Sequence, residues 1–139
     1  MKVKPNPPKI ASGFHGGGGA IKIDEKGTET IPTGCMCGAL AAGVLILGIL
    51  YGRTSGAGPR FGCISYLSAH LHRRFQEELG GKCCALLRPF YQKIDSEKSC
   101  KFLYQKGAEL AVEVALSAPD LVPECRMPGI LQRLIKRIS

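Results

Sequence analysis

Residues 33–52, TGCMCGALAAGVLILGILYG, constrain this chain most. Every residue from 39 to 50 is apolar or glycine, and a Cys-x-Cys pair precedes the run. Its twelve residues fall short of the roughly twenty that a helix needs to cross a bilayer core, and Arg53 follows closely. Membrane spanning is therefore not expected. A helix of this length that is apolar all round reads as the centre of a small bundle. Thr33 is placed to cap it, with a start near Cys35 and an end at Tyr51 and Gly52.

The remaining elements arrange themselves around that helix. Residues 1–34 are rich in Pro, Gly and Lys and carry no sustained period, so an irregular arm is expected. The glycines at 16–19 make no dinucleotide fingerprint, because no strand precedes them and the later acidic partner lacks a clear context. After the breaker-rich RTSGAGPRFG, the residues Ile64, Leu67, Leu71, Phe75 and Leu79 recur at helical intervals. Gly80 and Gly81 stop that helix. A short helix on CCALL is expected to end at Arg88, since Pro89 disfavours helix in the residue before it. A further helix, capped by Asp95 or Ser96, carries Cys100, Leu103, Leu110 and Val114. Gly107 and the alanines allow it close packing, and Pro119 marks its end. The last candidate, PGILQRLIKRIS, sets Ile130, Leu131, Leu134, Ile135 and Ile138 on one face and cations on the other. Folding back onto its own domain or a partner chain is favoured for it over lying on an anionic membrane surface. The expected fold is all-α, a small helical bundle around the central apolar helix at about 35–52. The irregular arm spans 1–34, the cysteine-bearing helical domain 35–118, and a linker with the basic amphipathic helix 119–139.

Charge and sulfur narrow the function. The net charge is +8, but the cations are scattered and not interleaved with aromatics, so a nucleic-acid face is not expected. The seven cysteines are an odd number, and no apolar signal region follows MKVKPNPPK. That pattern points away from a secreted disulfide scaffold and toward thiols in a reducing compartment, the cytoplasm. Cys35 and Cys37 fall in the first turn of the apolar helix, where unsatisfied N–H groups and the helix dipole favour a thiolate. Cys83 and Cys84 follow a Gly-Gly break at the next helix start but one, and Cys100 opens another. Cys63 and Cys125 stand alone and read as small buried hydrophobes. The intervals match neither zinc-finger pairs nor ferredoxin runs, so spacing alone names no metal. His70 lies beside an apolar stripe as a satisfied core histidine, His72 is expected in solvent, and His15 sits in the glycine-rich turn. Neither a Gly-x-Ser-x-Gly elbow nor a Ser-His-Asp set is present to support a hydrolase.

The order of GFHGGGG, GCMCGALAAGVLILGILYGR, LGGKCCALL and SCKFLYQKGAELAVEVAL resembles the C-GCAxxG-C-C proteins, a family named for its spaced cysteines. The resemblance covers roughly residues 11–116. The family is similar to a domain of split-Soret cytochromes and occurs mainly in anaerobic bacteria and archaea. It implies redox chemistry or the binding of an iron–sulfur cluster. The family's Cys-Gly-Ala motif falls on Cys37, Gly38 and Ala39, its next cysteine on Cys83 with Cys84 as a rival, and its last on Cys100. Its glycine turn falls on Gly13, Phe14, Gly16 and Gly17. Two positions depart from the pattern: Gly43 replaces a glycine one residue earlier, and no cysteine precedes Cys35, where members carry one on an earlier helix.

The expectation is therefore a redox protein that holds an iron–sulfur cluster for electron transfer. Cys37, Cys83 and Cys100 are the core ligands, and Cys35 or Cys84 completes the set. The alternatives are a metal-free thiol–disulfide protein working through Cys35, Cys37, Cys83 and Cys84, and a structural zinc module. A redox partner protein is implied, and a homodimer could supply missing ligands.

Overall fold

The structure, a computed structural model, describes residues 36–52, 62–94 and 100–139. These residues form five helices and no strand: α1 (Gly38–Tyr51), α2 (Cys63–Leu79), α3 (Cys84–Ile94), α4 (Lys101–Leu121) and α5 (Gly129–Ile138). The fold is all-α, as expected. Cys35, His15, Thr33, the glycine turn at Gly13, Phe14, Gly16 and Gly17, and the caps expected at Asp95 and Ser96 lie outside the described residues.

Helices α1, α2 and α4 pack pairwise against one another. Their shared core is Leu40 and Leu47 from α1, Leu67, Leu71 and Phe75 from α2, and Leu103, Leu110 and Val114 from α4. The α2 stripe buries Leu67, Leu71, Phe75 and Leu79 fully and Ile64 in part, and the helix ends where Gly80 turns left-handed at φ 82°. Close approach of α4 depends on Gly107, where a Cβ would stand 2.9 Å from the Cβ of Ala39 and 3.4 Å from the Phe75 ring. Ile46 and Ile49 remain exposed on the outer side of α1.

Two prolines do not end their helices where the sequence places those ends. Helix α3 runs past Arg88 and Pro89 to Ile94. An interior proline costs about 3 kcal/mol, and burial of large apolar side chains at roughly 1.5–3 kcal/mol each offsets it. Leu87 and Tyr91, on either side of Pro89, are both buried. The Tyr91 hydroxyl also donates to the Leu79 carbonyl at 3.1 Å, and its ring stacks on Phe102 with centroids 5.5 Å apart. Helix α4 runs past Pro119 to Leu121. Pro119 has no N–H for the carbonyl of Ala115 four residues back, and the hydroxyl of Tyr51 donates to that carbonyl instead, at 2.5 Å.

Cys63 and Cys125, read from the sequence as separate small hydrophobes, are joined in a disulfide. The bond fastens the connector between α4 and α5 to the start of α2, and Cys125 is buried in the main core. With the two cysteines 62 positions apart in the sequence, the chain-entropy account assigns such a closure about 4 kcal/mol. Helix α5 folds back only in part: Leu131 packs against the core, and none of the helix's residues is buried.

Candidate functional site

Cys37 is the N-cap residue of α1, one position earlier than a first-turn residue. Its N–H donates to the carbonyl of Lys82 at 2.8 Å, which ties the start of α1 to the junction between α2 and α3. Cys83 lies in that junction, and its carbonyl accepts from the N–H groups of Leu86 and Leu87. Cys84 is the first residue of α3. Cys100 caps α4 in the same sense that Cys37 caps α1, and neither cap makes a side-chain hydrogen bond to its helix. Three helix starts therefore carry these thiols, Cys37 before α1, Cys83 and Cys84 at α3 and Cys100 before α4.

Cys84 and Tyr104 both feel the neighbouring thiols electrostatically. Burial pushes the Cys84 thiol above the usual thiol range, and Cys37, Cys100 and Cys83 push it further, while Arg88 opposes them. The first cause is desolvation, which disfavours the charged thiolate. Tyr104 is raised first by burial, then by Cys100, Cys37 and Cys84, with Arg88 again opposing. Cys37 and Cys84 are buried, and Cys83 and Cys100 are partly so. Arg88 and Tyr104 escaped sequence reasoning although each carried a signal. Arg88 is four residues after Cys84, and Tyr104 is four after Cys100, so each shares a helix face with a thiol.

Other sequence candidates have different surroundings. Cys63 is bonded to Cys125 at the far end of α2, a helix of 17 residues and so roughly 25 Å long. His70 is partly buried, and its Nδ1 accepts from the Arg73 guanidinium at 2.8 Å. Burial and then Arg73 and Arg74 hold its pKa below the ordinary value. His72, expected in solvent, is partly buried, and burial followed by Lys82 lowers it too. Among the described residues no group of three His, Cys, Asp or Glu side chains stands where it could hold a metal ion. Nor is any described helix long and apolar enough to cross a membrane.

A family model described as "Putative redox-active protein (C_GCAxxG_C_C)" matches residues 3–114. The chain belongs to this family. No curated protein and no solved structure matches it. Membership in the C-GCAxxG-C-C family supports a redox role. The match takes in Cys35, Cys37, Cys63, Cys83, Cys84 and Cys100, and it stops short of Cys125 and α5.

Proposed function

We propose that Cys37, Cys83, Cys84 and Cys100 form a redox centre that takes up an iron–sulfur cluster for electron transfer. The observation that carries this reading is the gathering of four thiols from three helix starts at one pole of the bundle, with electrostatic influence among them. Thiolates are soft donors that suit iron–sulfur clusters and zinc. Among the described residues, the groups that act on Cys84 are three thiols and one guanidinium. Apolar α1 shields the site on the inner side, which limits water and tunes potential. Cys35, outside the described residues, is a further donor in this proposal.

The donors fit a cluster in kind but not in arrangement, since no three of them already stand as a ligand set. Uptake requires the thiols to converge. The same observation favours a second reading, a metal-free thiol–disulfide protein. There, two of these thiols form one S–S bond and release two electrons and two protons, and a partner's disulfide takes them up to become two thiols.

Iron, zinc and acid-labile sulfide per chain, measured on protein purified without air or chelators and again after reconstitution, test the proposal. About two or four irons with matching sulfide is the expected result. About one zinc per chain would replace the cluster with a structural metal site. Neither metal after reconstitution, with a thiol titre that rises on reduction in Cys63→Ser/Cys125→Ser protein, would leave the dithiol reading.

A further inference from the structure

Helix α5 alone among the described helices buries none of its residues. Its apolar face is nonetheless well formed. Leu131 rests on the bundle, and beside it Ile130, Leu134 and Ile138 follow one another at one-turn intervals, 54%, 47% and 87% exposed. The adjoining arc carries Arg133, Lys136 and Arg137, all exposed. From 126 to 139 the chain has four cations and no acidic residue, and the nearest acid in sequence is Glu124. The disulfide at Cys125 anchors the connector just before this helix, and the Gln132 amide donates to the Met127 carbonyl at 2.9 Å. The strip is thus held at the surface of the bundle.

We propose that α5 docks the protein on an anionic lipid surface. Ile130, Leu134 and Ile138 would enter the boundary between headgroups and acyl chains, while Arg133, Lys136 and Arg137 stay among the lipid phosphates. Charge complementarity selects this occupant. A narrow aliphatic strip bordered by cations, on a helix with a strongly polar opposite face, is the pattern of helices that lie in a membrane interface. Long basic side chains keep their heads in the polar layer while their stems cover apolar surface. A second copy is disfavoured because two α5 helices laid together would oppose cation to cation with no acid on either helix. So few apolar side chains give weak, reversible binding that depends on salt.

The test is flotation of the full chain with vesicles of phosphatidylcholine mixed with phosphatidylserine, against vesicles of phosphatidylcholine alone, at low and high salt. The protein is expected to float with the anionic vesicles at low salt only. Arg133→Gln/Lys136→Gln/Arg137→Gln is expected to lower partitioning on the order of a hundredfold. Leu134→Ser/Ile138→Ser should also abolish flotation, and unchanged circular dichroism would show that both variants fold. Absence of flotation, equal flotation with neutral vesicles, or undiminished flotation of the charge variant would each overturn the proposal. So would a wild-type dimer that Leu134→Ser/Ile138→Ser converts to monomer, since a second copy would then cover the strip.

Discussion

At Ala115 the carbonyl oxygen faces Pro119 and receives its hydrogen bond from the Tyr51 hydroxyl on another helix. Burial raises the pKa of Tyr51, which keeps that hydroxyl a donor well into alkaline solution. Tyr51→Phe is expected to leave the carbonyl without its donor and cost about 1–2 kcal/mol. In a Pro119→Ala background the new N–H at 119 can take over, so the same substitution should cost far less there. Urea unfolding of the four proteins in this cycle measures the difference, and an equal cost in both backgrounds would refute the assignment. Cys84 gives a second prediction at this scale. Its pKa is raised in the folded chain, so the fold keeps a proton that the unfolded chain releases. Stability from this group is full below the ordinary thiol value and falls as pH rises above about 9. The urea midpoint of reduced protein should therefore decline over that range, and less so in Cys84→Ala; an identical decline in both would contradict it.

Between helices, packing distance decides what a glycine is for. A methyl at Gly107 would meet the short side chain of Ala39, which has no rotamer to move away. Gly107→Ala is expected to destabilise by about 1–3 kcal/mol despite its better helix propensity. A methyl added at Gly48, in α1, would meet nothing within 4 Å, so Gly48→Ala should stabilise by up to about 1 kcal/mol. Thermal unfolding that moved in the same direction for both would contradict this packing. At this scale the sequence was legible where local periodicity matched burial, as in Leu67, Leu71, Phe75 and Leu79 of α2. It was misleading at Pro89 and Pro119, because what sustains those helices comes from distant residues: Leu79 receives the Tyr91 hydroxyl, and Tyr51 serves Ala115. The amphipathic stripe of α5 was plain, yet its environment was not, because periodicity shows that a face is apolar without showing what covers it. Helix-start cysteines were readable one by one, while the bond between Cys63 and Cys125 left no local trace over so long a separation.

At the scale of the whole molecule, the cysteines among the described residues are divided between two poles. Cys37, Cys83, Cys84 and Cys100 gather at one end, and the Cys63–Cys125 disulfide closes the other, with the length of α2 between them. Roughly 25 Å prevents direct exchange between the two sets, so the thiols at one pole are chemically independent of the bond at the other. The central claim is that redox chemistry belongs to the thiol pole, whether a cluster or a dithiol carries it. Protein-film voltammetry of anaerobically prepared protein tests it most directly, comparing wild type with Cys37→Ala and with Cys63→Ser/Cys125→Ser. A reversible wave that disappears in Cys37→Ala and persists in Cys63→Ser/Cys125→Ser is the predicted result. A wave that survives in Cys37→Ala and is lost with the disulfide would contradict the account.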